Sequence, residues 1–203
     1  MADILKMPKL HLATSKDCMR PSLGGVLIED NAGIATDAHL LVKVSLENVI
    51  LDNILELMNG MLLPAKMWAH FCSAKYPVFT VEDNKVFFRG PFGDLRVRGM
   101  DERFPEYKNA VDYWQPNSVD VIAFNPKYLE IINKVFENPQ AGLRIDFSAA
   151  NKPVRVVPNE PDHSPWKCEA FLMPQMLSNC ERDAPFAFFK SGAVEAGRNE
   201  GEK

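Results

Sequence analysis

Gly24-Gly25-Val26-Leu27-Ile28-Glu29 (24–29), then Asp30-Asn31-Ala32-Gly33 (30–33), then the run opening at Ile34: this stretch decides the fold of the 203-residue chain. Two apolar runs flank Asp, Asn and Gly, which accept left-handed backbone or bond their own chain locally. The middle therefore predicts a turn, and the whole a β-hairpin. Leu41-Val42-Lys43-Val44-Ser45-Leu46 follows and alternates apolar with polar, as a half-buried strand does.

Working outward, Ile50, Leu51, Ile54, Leu55, Leu57 and Met58 have helical spacing over 49–59, and Asn59-Gly60 supplies a stop. Met61-Leu62-Leu63 is a short strand-like run. Pro64 has no amide proton to leave unpaired, which predicts the first position of a helix reaching Ser73. Val78-Phe79-Thr80-Val81 and Lys85-Val86-Phe87-Phe88 flank Glu82-Asp83-Asn84, a second hairpin. Asp94-Leu95-Arg96-Val97-Arg98 alternates and adds a third strand. A polar loop with Phe104-Pro105-Glu106-Tyr107 comes next, and 112–118 reads as a linker.

The order then repeats. Val119-Asp120-Val121-Ile122-Ala123 predicts a strand. Asn125 is a good N-cap, Pro126 suits the first helical turn, and Lys127 to Glu137 is helical in period. Leu129, Ile132 and Phe136 share one face; Lys127, Glu130 and Lys134 share another. Strands are expected at Leu143–Phe147, Lys152–Val157 and Cys168–Leu172. A helix followed by three strands thus occurs at 64–98 and at 126–172. Residues 20–46 read as the strand part of a third copy whose helix is short or absent. The expected class is α+β with antiparallel sheets.

At 46% apolar and 25% charged, the chain can bury a core. Its 23 Lys and Arg against 27 Asp and Glu leave a net charge of −4. That argues against a protein that grips DNA over its whole surface, but leaves room for a local basic face. Cys18, Cys72, Cys168 and Cys180 form no C-x-x-C pair and complete no zinc spacing with the nearest histidines, so reduced, packed thiols are expected. No charged-then-apolar leader opens the chain. No apolar run approaches the roughly 18 to 20 residues that span a bilayer. The expectation is a soluble, cytoplasmic protein without a membrane partner.

Catalysis finds little support. Asp37 and His39 stand two apart, but no nucleophile sits in a recognisable elbow and no glycine-rich phosphate cradle is present. His39 reads better as a structural or pocket-wall histidine. Phe87, Phe88 and Phe92 near Arg89, Arg96 and Arg98 read as core rings with solvated cations rather than as a base-stacking surface. No enzyme, metal or cofactor is expected.

Three sets of motifs resemble the sliding-clamp family, the beta subunit of bacterial DNA polymerase III. Arg20-Pro21-Ser22-Leu23-Gly24-Gly25-Val26-Leu27-Ile28-Glu29 with Ala35-Thr36-Asp37-Ala38-His39-Leu40-Leu41 is similar to the family's R-P-x-L-x-G-V-x-x-E strand and A-T-D-G-H-R-L turn. Arg103-Phe104-Pro105-Glu106-Tyr107-Lys108 resembles R-F-P-D-Y-R. Phe124-Asn125-Pro126-Lys127-Tyr128-Leu129, Pro153-Val154-Arg155 and Leu172-Met173-Pro174-Gln175-Met176-Leu177 resemble F-N-x-x-Y-L, S-P-x-x-I/R and the terminal M-P-M-R-L. The motifs occur in the family's order and cover about residues 12–177.

The resemblance implies a DNA-clamp-like fold of repeated strand-helix-three-strand units. Residues 8–111 would match the clamp's middle domain and 118–177 the final half of its last domain. Residues 178–203 would be a partly disordered tail. Three half-domains replace the even number a ring requires. The family's partner pocket takes short linear peptides from polymerase and other replication proteins. Its implied wall here is Leu23, Thr36, Ala38, His39, Leu40, Leu41, Pro105, Ala110, Phe171, Leu172, Met173, Pro174, Gln175, Met176 and Leu177. Apolar and flexible side chains of this kind accept leucine and aromatic anchors. Leu40 and Met176 each replace a family arginine, making the pocket less cationic.

Loose, non-specific contact with duplex DNA is implied through Arg20, Lys66, Lys127 and Lys134. Two functions follow. One is a processivity clamp assembled around DNA as a homo-oligomer; the other is a non-ring, peptide-binding adaptor or decoy. Pro185-Phe186-Ala187-Phe188-Phe189 in the tail is expected to cover the pocket, join subunits or patch exposed core.

Overall fold

The computed structural model describes residues 6–73, 78–83, 85–90, 93–112, 114–117, 122–137, 142–149 and 151–175. The opening hairpin forms as the turn chemistry predicts. Strands β1 (Gly25–Glu29) and β2 (Ala32–Thr36) pair antiparallel, with Leu27 opposite Ile34. The turn is only Asp30-Asn31, at φ 51° and 58°, the two positive angles that match strand twist in a two-residue loop. Gly33, read from sequence as part of the turn, belongs to β2. A Cβ there would lie 2.4 Å from Leu10 Cδ1, so close packing of the Leu10–Ala13 3-10 turn explains the glycine.

Strand β3 (Leu40–Ser45) completes a meander with β2. Helix α1 (Asp52–Met58) starts later than the apolar spacing predicts. The Val49 and Ile50 amides both donate to the Leu46 carbonyl, and Leu51 is extended at ψ 140°, so the chain makes a turn before the helix. Strand β4 (Leu62–Pro64) pairs with β1. Pro64 therefore ends a strand and caps helix α2 (Ala65–Phe71), rather than occupying its first turn. Its ring-fixed φ of −56° suits both conformations, and ψ of 135° selects the strand.

Strands β5 (Val78–Glu82), β6 (Lys85–Gly90) and β7 (Gly93–Arg98) form a separate three-stranded antiparallel sheet. A helical turn missed by the sequence reading, α3 (Lys108–Asp112), leads toward the expected linker. Helix α4 (Pro126–Phe136) starts where expected: Asn125 Oδ1 accepts from the Lys127 amide at 3.1 Å, satisfying one orphan donor of the first turn. Glu137, at φ 48°, ends it. Strands β8 (Leu143–Asp146), β9 (Val154–Pro158) and β10 (Cys168–Leu172) follow. The strand expected over 119–123 falls largely outside the described residues; Ala123 makes a single antiparallel bridge to Gln175.

The fold is α+β with antiparallel sheets. Helix-plus-three-strand units appear as α2 with β5–β7 and α4 with β8–β10. In the first copy a 3-10 turn, Leu10–Ala13, precedes β1. The larger sheet has seven strands in the order β4-β1-β2-β3-β10-β9-β8, so the first and third units are joined edge to edge by β3 and β10. Beneath, Trp68 and Phe71 are fully buried, and Phe71 packs edge-on to Phe79 at 5.1 Å. Burying a ring such as Phe71 contributes about 2 to 3 kcal/mol. Trp68 Nε1 donates to the Pro8 carbonyl at 2.7 Å, tying the segment before β1 to α2. Both α2 and α4 pack on the Leu10–Ala13 turn, which fixes them on the same side of the fold. Among the described residues no helix is long and apolar enough to cross a membrane. Cys18, Cys72 and Cys168 are free thiols; Cys180 lies outside the described residues.

Candidate partner-binding groove

Alternation along β3 sends Leu40, Val42 and Val44 into the core and Leu41, Lys43 and Ser45 to the opposite face. Strand register then sets a row across four strands on that outer face: Thr36, Leu41, Phe171, Arg155. Leu41 is half-buried and Phe171 is 6% exposed. This row crosses the β3–β10 junction, so its surface comes from two units far apart in sequence.

The turn between β2 and β3 is built by two side chains. Asp37 Oδ1 accepts from the amides of His39 and Leu40, each at 3.0 Å. Thr36 Oγ1 donates to the Leu40 carbonyl at 2.8 Å and accepts from the Ala38 amide at 3.1 Å. Ala38 is thereby held at φ 79°, a left-handed angle at which the family pattern has glycine. Asp37 is a turn-building carboxylate rather than half of an acid–base pair.

The turn leaves His39 exposed, and the His39 carbonyl accepts from the Met173 amide at 2.8 Å. Met173, at 38%, is among the exposed large apolar residues. Tyr128 of α4 closes this end. Its ring lies 6.2 Å from that of His39, near enough to the Asp37 carboxylate to feel its charge. Burial, then Asp37, push the Tyr128 phenol above its ordinary value. Sequence reading did not place Tyr128 here, although it stands inside the Asn125–Leu129 motif.

Beside the row, residues 99–112 cross the neighbouring strands. The Met100 amide donates to Leu62 O at 2.7 Å, and the Tyr107 hydroxyl donates to Glu29 Oε2 at 2.5 Å. Lys108 Nζ lies 3.1 Å from Glu29 and 3.7 Å from Asp30. Pro105 is exposed on this segment, and Ala110 lies in α3. At the other end of the row, Arg155 pairs with Glu169 at 3.0 Å. Arg155 also borders two cavities, of about 510 and 390 Å³, which share Ser45, Glu47, Lys167 and Cys168.

The chain thus brings Thr36, Ala38, His39, Leu41, Phe171 and Met173 to one junction. Leu40 and Leu172 face each other on the core side, 1% and 0% exposed. Leu23 is 3% exposed in the 3-10 turn before β1. Pro174 is half-buried and Gln175 exposed, with the Gln175 amide bonded to Ala123 O at 2.8 Å. Met176 and Leu177 lie outside the described residues, as does the tail 178–203.

Of the candidate DNA contacts, Lys66 is exposed on α2. Lys127 lies 5.9 Å over the Tyr128 ring and Lys134 pairs with Glu130 at 2.6 Å, both on α4. Arg20 pairs with Asp17 at 3.2 Å. Among the described residues no group of three or more His, Cys, Asp or Glu is placed to hold a metal ion.

Known structures share this arrangement of strands and helices. The DNA polymerase sliding clamp of Pseudomonas aeruginosa superposes with a TM-score of 0.63 at 16% identity, over 83% of this chain and 63% of that one. The fold is that of the bacterial sliding clamps. The Thermotoga maritima DNA polymerase III beta subunit gives 0.59 at 14% identity, over 84% and 62%. Caulobacter crescentus pol III beta gives 0.56 at 21%, over 83% and 62%. The likeness is one of fold, and the chain spans somewhat under two thirds of the length of these clamps. No family model matches the sequence, and no curated protein does.

Proposed function

We propose that this chain is a non-catalytic, peptide-binding scaffold of the replication machinery that uses a clamp fold without closing a ring. Its partners are DNA polymerase or other replication proteins, reached in the cytoplasm through short clamp-binding peptides. Residues 8–111 act as a clamp-like domain and 118–177 as a half-domain docked on its edge. The observation that carries this reading is the Thr36–Leu41–Phe171 row at the junction of two units, a strip with Leu41 half-buried between buried Thr36 and Phe171, flanked by exposed His39 and Met173. Such a strip takes a leucine and an aromatic anchor, with methionine adapting to their shapes.

A ring-forming processivity clamp is the second reading. It is favoured by α2 and α4 lying on one side of the fold with Lys66, Lys127 and Lys134. It is disfavoured by the ion pairs that engage Lys134 and Arg20 and by the net charge of −4.

Burying one leucine and one ring contributes on the order of 3 to 5 kcal/mol before ordering costs, which by itself corresponds to a Kd of about 0.2 to 6 mM, so weak, fast-exchanging binding is expected. Fluorescence anisotropy with a labelled clamp-binding peptide tests this. Saturable binding is expected, and Leu41→Asp is expected to abolish it with an unchanged circular dichroism spectrum. Absence of saturation, or full binding by that variant, refutes the proposal.

A further inference from the structure

The third strand of each unit has a consistent role in this fold. In the first unit it is β3 and in the third unit β10, and the two pair antiparallel over five residue pairs centred on Val42 and Ala170. The third strand of the second unit is β7. It pairs with β6 on one side, and among the described residues no strand covers its other edge. Burial alternates along β7 as along β3. Leu95 and Val97 face inward beside Phe88 and Val86, while Asp94, Arg96 and Arg98 face out.

An uncovered strand edge is a template for another strand. We propose that β7 pairs with β7 of a second copy of this chain, antiparallel about a two-fold axis, as β3 pairs with β10 within one copy. The charge pattern selects the register. Centring the axis on Leu95 places Asp94 opposite the second copy's Arg96, and Arg96 opposite its Asp94, with Leu95 against Leu95 on the core side. Centring it on Arg96 would set two arginines face to face, which is unfavourable for directly opposed residues. Both Asp94 and Arg96 are exposed; within one copy Asp94 pairs with Arg89 at 3.4 Å and Arg96 lies 5.2 Å over the Phe87 ring, so the exchange competes with these two solvated contacts.

Such a contact is isologous and closes at two copies. Its area is that of a short strand pair plus flanking side chains, so association is weak and reversible. The dimer carries two copies of the candidate groove, giving it avidity for a partner with two peptides. The inference rests on strand pairing and holds whether or not the groove binds peptide.

Sedimentation of the full chain over increasing concentration tests it. A reversible monomer–dimer equilibrium is expected. Arg96→Glu sets like charges opposite each other twice and is expected to weaken the dimer by about tenfold or more. The exchange Asp94→Arg with Arg96→Glu restores opposite charges and is expected to restore the dimer. Hydrogen exchange should show protection of β7 amides rising with protein concentration. A monomer at every concentration overturns the proposal, as does a dimer indifferent to Arg96→Glu. Strong protection of the β7 edge in the monomer also overturns it, since another segment of the same chain then covers that edge.

Discussion

The Tyr107 hydroxyl donates to Glu29 Oε2 across 78 positions of chain, fastening the 99–112 segment to the end of β1. That bond first, and Lys108 second, hold the Glu29 carboxyl below its ordinary value. A carboxyl depressed in the folded state contributes stability above its unfolded value and loses it as pH falls through the folded one. Tyr107→Phe is expected to cost about 1 kcal/mol at neutral pH in urea unfolding. The difference from wild type should shrink once pH drops below about 4, under the ordinary glutamate value. A difference that stays constant between neutral and acid pH counts against this clip.

The turn at Thr36–Leu40 gives a pair of opposite outcomes. Ala38 at φ 79° bears a Cβ where a left-handed residue is strained, so Ala38→Gly should raise the thermal midpoint, by up to about 1 kcal/mol of stability. Thr36→Val keeps the shape but removes the hydroxyl that serves Leu40 O and the Ala38 amide, and should lower stability by about 1 to 3 kcal/mol. Calorimetry showing both changes in the same direction would contradict this account of the turn.

DNA binding should be weak and salt-sensitive. With few basic groups on α2 and α4, about two to three phosphates are neutralised, so log K falls against log salt with a slope of about −2 to −3. A filter-binding series on linear duplex checks the slope. Tight binding at physiological salt would show that the chain has a cationic surface beyond Lys66, Lys127, Lys134 and Arg20.

Burial pushes the thiols of Cys72 and Cys168 up to about 12. Thiolate is the reactive form, so at about pH 8 both should alkylate on the order of a hundredfold more slowly than exposed Cys18. Peptide mapping after timed iodoacetamide treatment reads this directly; comparable labelling of Cys72 in the native protein would refute it.

Local chemistry made much of the fold legible in the sequence. Asp30-Asn31-Ala32-Gly33 declared a turn, Asn125-Pro126 a helix start, and the alternation of 94–98 a half-buried strand. Less visible was everything set by contact between distant segments. Nothing near Gly33 reveals that Leu10 presses on it, and nothing near Pro64 reveals that pairing with β1 draws it into the strand of Leu62 and Leu63. Family motifs pointed to Leu41, His39 and Phe171 as groove wall, and strand register sets Leu41 opposite Phe171. The groove's supports, Tyr128 beside His39 and Tyr107 on Glu29, were not legible, because a side-chain contact between distant segments leaves no periodic trace.

The β3–β10 seam has a consequence for synthesis of the protein. β3 ends at Ser45 and β10 begins at Cys168, so more than a hundred codons separate the two edges that must meet. At usual translation speeds, β3 waits on the order of ten seconds with its outer edge unpaired. Leu40, Val42 and Val44 then depend on whatever shields a nascent chain. Non-local pairing also slows the final step. Crowded, rapid expression should therefore favour β3 meeting the wrong edge, and slower translation or a lower temperature should raise the yield of correctly joined sheet.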